Sequence, residues 1–160
     1  MRIAILGNAG SGKSTLAKAL SANRALPVLD LDSVYWEPGA IAKPRPLLLC
    51  LGDVRRYCGV HDSWVIEGCY ADVVEASFSW RPELLFLNPG LDVCLENCRR
   101  RPFESHKYRT KEYQDGMLDS LLKWVADYYE RDGTMSLRGH MKLFERYDGP
   151  KRQITELKNA

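Results

Sequence analysis

The sequence predicts an α/β fold in which helices cover both faces of a parallel β-sheet. Short apolar segments of strand length alternate with amphipathic helical segments along the chain, which is typical of parallel sheets. The glycine-rich segment G-N-A-G-S-G-K-S, residues 7–14, directly follows the first apolar segment and opens a helix. A length of 160 residues, 45% of them hydrophobic, suits one domain spanning 1–160.

The first half of the chain predicts three strands. A strand over 3–6 leads into the glycine-rich turn, and the helix that follows ends near Asn23. The other elements are predicted in the order strand 27–30, proline-rich loop 37–46, helix from Pro46 to near Gly59, and strand 64–67.

The second half predicts two further strands and four helices. They come in the order helix 71–78, strand 83–87, helix 91–98, helix 117–129, helix 136–147 and edge strand 151–157. Residues 102–116 lack apolar periodicity and are predicted to be a long polar loop. We interpret about 34–62 as a substrate-side insertion and about 99–116 as a lid. Both would lie over the C-terminal edge of the sheet, where ligands bind in this architecture.

The glycine-rich segment matches the phosphate-binding pattern G-x-x-x-x-G-K-[ST] in its expected strand-to-helix context. Its backbone N–H groups and the positive end of the helix dipole are suited to nucleotide phosphates. Lys13 is predicted to reach the β- and γ-phosphates, and the Ser14 hydroxyl to bind Mg²⁺. The predicted nucleotide-binding residues, called the phosphate loop below, are Gly7, Asn8, Ala9, Gly10, Ser11, Gly12, Lys13, Ser14 and Thr15.

Three acidic residues end predicted strands at the same edge of the sheet. Asp30 and Asp32 follow the second strand and Glu67 ends the third. Asp30 and Glu67 are predicted to hold Mg²⁺ through water, while Asp32 binds an acceptor and takes the proton of its hydroxyl. The alternatives are a turn or helix cap for the aspartates and a salt bridge for Glu67.

Further residues near these strand ends are candidates for contact with an acceptor. Gly68 and Tyr70 extend the wall after Glu67, and Arg45 in the proline-rich loop suits a carboxylate or phosphate. Tyr35 and Trp36 are interpreted as core residues, with stacking on a substrate ring as the alternative.

A group of basic residues brackets the polar loop: Arg99, Arg100, Arg101, Lys107, Arg109 and Lys111. Arginines stabilise the charge that develops in phosphoryl transfer, and a loop carrying them can close over the phosphates. Arg100 and Arg109 are predicted to act in this way, with Arg101 next. A solvated charged surface is the alternative, above all for Lys107 and Lys111.

The composition of the chain restricts the cellular compartment and the kinds of partner that we expect. A net charge of +2 gives no support for a general nucleic-acid or membrane surface, and no apolar run approaches the length of a membrane helix. The N-terminus lacks a signal-peptide pattern. The five cysteines suggest reduced thiols in the cytoplasm, and Cys94 and Cys98 are interpreted as apolar packing residues rather than metal ligands.

The chain resembles the small P-loop kinases of the adenylate kinase and shikimate kinase group. The resemblance covers nearly the whole chain and is carried by G-N-A-G-S-G-K-S-T, L-D-L-D-S, W-V-I-E-G-C-Y, L-L-F-L-N-P and the arginine-rich lid. Within the group it is most similar to bacterial topology-modulation-type or shikimate-kinase-like ATPases. The resemblance implies a P-loop three-layer sandwich, a five-stranded parallel sheet in the order 2-3-1-4-5, ATP and Mg²⁺ as ligands, and a mobile lid.

At several positions the sequence departs from these families, so the identity of the phosphoryl acceptor is not determined. Gly68 stands before Cys69 rather than in the glycine triplet of shikimate kinases, and Asn88 replaces the aspartate that often ends the fourth strand of nucleoside monophosphate kinases. Two functions follow. One is an ATP- and Mg²⁺-dependent kinase acting on a small-molecule or nucleotide acceptor, and the other is a regulatory ATPase that acts on a partner. The choice between ATP and GTP and the oligomeric state also stay open.

Overall fold

A computed structural model of the protein describes residues 1–39 and 42–156. Its sheet contains five parallel strands in the order β2-β3-β1-β4-β5. They are β1 Arg2–Gly7, β2 Val28–Asp30, β3 Trp64–Gly68, β4 Glu83–Leu87 and β5 Lys151–Ile154. The predicted strand number, direction and order are therefore confirmed. Residues 40–41 of the predicted loop, and 157 at the end of the predicted fifth strand, lie outside the described residues.

The described residues form eight α-helices and one short 3₁₀ helix, Phe78–Trp80. The α-helices are α1 Lys13–Arg24, α2 Asp32–Tyr35, α3 Leu47–Val60, α4 Ala71–Glu75, α5 Leu91–Arg99, α6 Lys111–Gly116, α7 Leu118–Asp127 and α8 Leu137–Arg146. Helix α2 was not predicted, because four residues are too few to show a helical period.

The lid also differs from the prediction of a continuous polar loop. Its last residues form α6, which begins at Thr110, where the hydroxyl oxygen accepts the N–H of Tyr113. An ion pair between Lys111 and Asp115, one turn apart, supports the helix. These features stabilise a helix without apolar periodicity, which is why the hydrophobic pattern did not reveal it.

Alternation of side chains along the strands produces a core on each face of the sheet. On one face, Ile3 and Ile5 of β1 pack with Ala17 of α1. On the other face, Ala4 and Leu6 belong to a larger cluster that includes Val54, Val74 and Leu143 from α3, α4 and α8. The central strands are buried on both faces, which explains their continuous apolar runs.

A third, smaller cluster joins α5 to α7 beside the phosphate loop. Cys94, Cys98 and Val125 form its buried part, and both cysteines are free thiols. Their predicted role as apolar packing residues is confirmed. Within the described residues, no helix has the length and apolar character needed to cross a membrane.

Candidate active site

The phosphate loop connects the end of β1 to the start of α1. Gly10 and Gly12 have φ values of +76° and +93°, a region that L side chains rarely adopt. Gly12 is the N-cap of α1 and brings no side-chain oxygen to the first N–H groups of the helix. The sequence therefore builds a helix N-terminus suited to an anion.

Neighbouring helices hold this loop in place. The side-chain amides of Asn8 and Asn97 donate to the carbonyl oxygens of Val125 and Gly10, at 3.1 and 2.8 Å. A Cβ on Gly10 would lie 2.2 Å from the carbonyl oxygen of Cys94. Glycine is thus required at Gly10 both by its backbone angle and by the close approach of α5.

Lys13 lies over the loop that it follows. Its Nζ donates to the carbonyl oxygen of Asn8 at 2.8 Å. The ammonium is thereby held at the loop rather than extended into solvent.

Ser14 and Glu67 meet across the sheet edge, as the sequence predicted for two residues of one site. The Ser14 hydroxyl donates to Oε1 of Glu67 at 2.6 Å, and Glu67 is 4% exposed. Glu67 is in register with Ile5 of β1 and with Asp30 of β2. This register places its carboxylate on the face that α1 covers, below the first turn of that helix.

Asp30, at the end of β2, and Asp32, at the start of α2, are joined to the lid. Oδ1 of Asp30 accepts the backbone N–H of Asp32 at 2.9 Å, an Asx turn that orients the pair. Nζ of Lys107 lies 2.7 Å from Oδ2 of Asp32, 3.8 Å from Oδ2 of Asp30 and 3.8 Å from Oε1 of Glu104. Asp30, Asp32 and Glu67 are called the acid cluster below.

The carboxyl groups of the acid cluster differ in the direction in which their surroundings shift the pKa. Burial raises the pKa of Glu67, and burial together with the charge of Asp32 raises the pKa of Asp30. Burial also disfavours the charge of Asp32, but Lys107 and the hydrogen bonds from Lys107 and Tyr70 outweigh it and lower its pKa. Asp32 is the member held most firmly in its ionised form.

Tyr70 requires a correction, because it was predicted to contact an acceptor. It is 2% exposed and its hydroxyl donates to Oδ1 of Asp32 at 2.6 Å. Tyr70 therefore lies behind Asp32 rather than on the surface of the cleft. Tyr35 stacks on it with ring centroids 4.1 Å apart, so the interpretation of Tyr35 and Trp36 as residues packed on the core is supported.

Gly68 and Arg45 also differ from their predicted contact with an acceptor. A Cβ on Gly68 would lie 2.8 Å from Cβ of Leu31, so the glycine is needed for core packing. Nη1 of Arg45 donates to the carbonyl oxygen of Val34 at 2.7 Å and to Asp53 at 2.9 Å. This guanidinium ties the 32–36 segment to α3, a structural role that its charge did not indicate.

The lid arginines are not gathered at the phosphate loop in this conformation. Nε of Arg100 pairs with Glu96 on α5 at 2.6 Å, and its side chain is 79% exposed. Arg101 pairs with Glu104, and Arg109 is exposed. Their predicted contact with phosphates requires the lid to move. Among the basic residues of the lid, Lys107 reaches the acid cluster, and the sequence indicated it only as a member of the basic group around the polar loop.

The residues at the sheet edge fit Mg²⁺ bound together with a nucleotide. Within residues 1–39 and 42–156, no group of three or more His, Cys, Asp or Glu side chains forms a self-sufficient metal site. The Ser14 hydroxyl and the carboxylates of Glu67 and Asp30 are hard oxygen donors of the kind that Mg²⁺ uses alongside phosphate oxygens and water. Phosphate oxygens and water would have to supply the remaining ligands of such an ion.

No protein-family model matches the chain. The uncharacterized protein YqaC of Bacillus subtilis (strain 168) is 29% identical to it over 109 residues, which is 65% of this chain and 58% of that protein. The chain therefore aligns with less than two thirds of the length of this curated relative.

Solved structures resemble the chain over most of its length. A gluconokinase from Sinorhizobium meliloti 1021 gives a TM-score of 0.58 at 17% identity, covering 96% of this chain and 81% of that one. The YorR protein of Bacillus subtilis, in complex with phosphorylated GDP, gives 0.52 at 14% identity, with coverages of 96% and 85%. Deoxyadenosine kinase from M. mycoides with bound dATP gives 0.50 at 13% identity, with coverages of 99% and 93%.

At these identities the similarity concerns the fold. The strand order, the phosphate loop between β1 and α1 and the kinase neighbours agree with one another. The chain has the fold of the small P-loop kinases of the adenylate kinase and shikimate kinase group.

Proposed function

We propose that the protein is a kinase that uses ATP and Mg²⁺ to phosphorylate a small-molecule or nucleotide acceptor. One observation carries the proposal. The hydrogen bond of 2.6 Å from Ser14 to Glu67 joins the phosphate loop to the acid cluster, so donor and acceptor residues lie at one edge of the sheet. The kinase names of two structural neighbours support the same class of reaction.

The donor half consists of the phosphate loop and Lys13. Backbone N–H groups at the start of α1 would bind the phosphates, and the ammonium would leave the Asn8 carbonyl for phosphate oxygens. Ser14 would bind Mg²⁺ directly, with Glu67 and Asp30 acting through water. The ion, when bound, neutralises charge on the phosphates.

The acceptor half centres on Asp32, whose Oδ2 faces the lid. An acceptor hydroxyl at this oxygen would be oriented for in-line attack. Its oxygen forms the new bond to the γ-phosphorus while the bond from that phosphorus to the β–γ bridging oxygen breaks, and ADP leaves with the electron pair. The hydroxyl proton passes to Asp32. Positioning and electrostatics carry most of such a reaction, so a carboxylate with a lowered pKa suffices.

The lid would close over the phosphates during the reaction. Arg100 and Arg109 are proposed to turn toward the transferring group once nucleotide is bound, with Arg101 as the next candidate. The exposed positions of Arg100 and Arg109 leave these two able to move without breaking core contacts. Closure would exclude water and so favour transfer over hydrolysis.

The direct test is a screen of hydroxyl-bearing metabolites and nucleotides for acceptor-stimulated ADP formation with Mg-ATP. We expect one acceptor class to raise the rate well above the rate with ATP alone. Lys13→Ala should abolish ATP binding or turnover, whereas Lys18→Ala, an exposed lysine further along α1, should not. Full ATP affinity in Lys13→Ala would overturn the nucleotide site.

Asp32→Asn tests the acceptor half separately. Loss of the proton acceptor should lower acceptor-dependent turnover by roughly 10²- to 10⁴-fold while ATP affinity changes only a few-fold. Undiminished turnover would make Asp32 a structural residue.

A regulatory ATPase that acts on a partner is the second candidate. It is favoured by the ion pair of Lys107 with Asp32, because a change of charge at Asp32 would alter the contact that holds the lid. Slow ATP hydrolysis that no acceptor stimulates, with a lid that changes conformation on ATP binding, would support it over the kinase.

A further inference from the structure

A chain of two hydrogen bonds runs from the core to Asp32, and its direction is determined by chemistry. Nε1 of Trp36 lies 2.7 Å from the Tyr70 hydroxyl oxygen, and an indole N–H can only donate. The Tyr70 oxygen therefore accepts a hydrogen bond from Trp36, and the Tyr70 O–H donates one to Oδ1 of Asp32 at 2.6 Å. We call this chain the Trp36–Tyr70 relay.

The centre of the relay is buried, and its aromatic members pack on one another. Tyr70 is 2% exposed and is stacked against Tyr35, while Trp36 meets the rings of both tyrosines edge-on. Tyr35 and Asp32 belong to α2, and Trp36 is the residue that ends this helix. One short helix thus carries the acidic residue and the indole, with Tyr70 from the segment after β3 between them.

The two carboxylate oxygens of Asp32 have different partners. Oδ1 is directed toward the core by Tyr70, and the Asp30 carboxylate fixes the backbone of Asp32. Oδ2 is directed toward the lid, where Lys107 contacts it. With Oδ1 engaged, Oδ2 is the oxygen left for an acceptor hydroxyl when Lys107 withdraws.

We propose that Tyr70, supported by Trp36, is a positioning residue that orients Asp32 and aims its Oδ2 at the acceptor. This inference rests on the proposed kinase function and adds residues that touch neither nucleotide nor acceptor. A purely structural role for Tyr70 would predict lost stability alone.

Conservative substitutions can remove the hydrogen bonds of the relay one at a time. Tyr70→Phe removes only the hydroxyl. Trp36→Phe removes the indole N–H and keeps an aromatic ring. Tyr35→Phe is the matched control, because it removes a hydroxyl outside the relay from the same aromatic stack.

The experiment compares crystal structures of wild type, Tyr70→Phe, Trp36→Phe and Tyr35→Phe, each of the full chain without ligand. Tyr70→Phe should turn the Asp32 carboxylate away from the orientation that its hydrogen bond to Tyr70 gives it, Trp36→Phe should turn it less, and Tyr35→Phe should leave it in place. An Asp32 carboxylate with the same orientation in wild type and Tyr70→Phe, or a control that turns it as far, would overturn the relay. If Tyr70→Phe fails to fold, Trp36→Phe decides the question by the same readout.

Kinetics then test whether positioning matters for the reaction. With the acceptor found in the screen, Tyr70→Phe should lower kcat about 10-fold or more, while the KM for ATP stays within 2-fold. In an Asp32→Asn background the same substitution should have no further effect on kcat. If no acceptor is found, the kinase proposal fails, whereas the orientation of the Asp32 carboxylate in the variants still decides the relay.

Discussion

Nζ of Lys107 lies 2.7 Å from Oδ2 of Asp32, so a lid residue is hydrogen-bonded to the acidic residue that starts α2. The two residues are separated by 75 positions in the sequence. Burial disfavours the charge of Lys107, but Asp32 and Asp30 outweigh it and raise its pKa. The contact connects the position of the predicted lid to the charge of Asp32.

Removal of this ammonium should release the lid. In Lys107→Met, we expect faster amide hydrogen exchange across 102–110, because the contact to Asp32 and Asp30 that holds this segment is lost. Lys111→Met is the control, since Lys111 pairs only locally with Asp115 on α6. Equal exchange in the two variants would show that Lys107 does not hold the lid.

Substitution of Glu67 should change the requirement for Mg²⁺. Glu67→Gln keeps the shape of the side chain and an oxygen for Ser14 but removes the charge that would hold water on the ion. We expect the Mg²⁺ concentration for half-maximal ATP turnover to rise about 10-fold or more, by analogy with other outer-shell carboxylates. Glu83→Gln, at a half-exposed residue that begins β4 at the edge of the sheet away from the phosphate loop, should leave this concentration unchanged. An unaltered Mg²⁺ titration in Glu67→Gln would remove Glu67 from the metal site.

Two glycine substitutions should have opposite effects on stability. Gly10→Ala forces a positive φ on an alanine and puts its Cβ 2.2 Å from the Cys94 carbonyl oxygen, so the phosphate loop must shift. We expect a loss of about 2 kcal/mol or more in the free energy of unfolding, together with loss of ATP binding. Gly52→Ala, inside α3 and without a described atom within 4 Å of its Cβ, should gain about 0.5–1 kcal/mol. Denaturant unfolding and ATP titration check both, and a Gly10→Ala protein with normal ATP affinity contradicts the loop geometry.

Acid should destabilise the fold through His140. Its Nε2 lies 2.7 Å from the Cys69 carbonyl oxygen and its Nδ1 lies 2.8 Å from the Tyr128 hydroxyl, and burial lowers its pKa to about 4. In the unfolded chain, His140 therefore takes up a proton near pH 6.5, whereas in the folded chain it stays neutral down to about pH 4. Stability should fall as the pH drops through this window, by on the order of 3 kcal/mol.

The measurement is the free energy of unfolding as a function of pH. His140→Gln should be less stable than wild type at pH 7, because the Tyr128 contact is disturbed, but should lose less stability between pH 6.5 and 4. His106→Gln in the exposed part of the lid serves as the control. A slope that persists unchanged in His140→Gln would assign the acid sensitivity to other groups.

Local sequence patterns were enough to predict the strands, the phosphate loop and the acidic residues at the strand ends. The apolar runs of β1, β3 and β4 and the spacing of Gly7, Gly10 and Gly12 are properties of short segments, so they can be read without knowing what packs where. The position of acidic residues at strand ends is equally local, and the parallel register brings Asp30 and Glu67 together. Helix α2 was not predicted because four residues are too few to show a helical period, and α6 was not predicted because a cap and an ion pair stabilise it rather than an apolar face.

The sequence by itself therefore determined the parallel sheet, the phosphate loop and the edge at which the acidic residues gather. The tertiary structure alone decided which charges meet. Arg45 is held by Asp53, Lys107 reaches Asp32, and Tyr70 supports Asp32 from behind. These pairings depend on how the lid and α2 pack onto the sheet, and two of them join residues 38 and 75 positions apart. A side chain's charge shows that it needs a partner, but only the packed chain selects which partner lies within hydrogen-bonding distance.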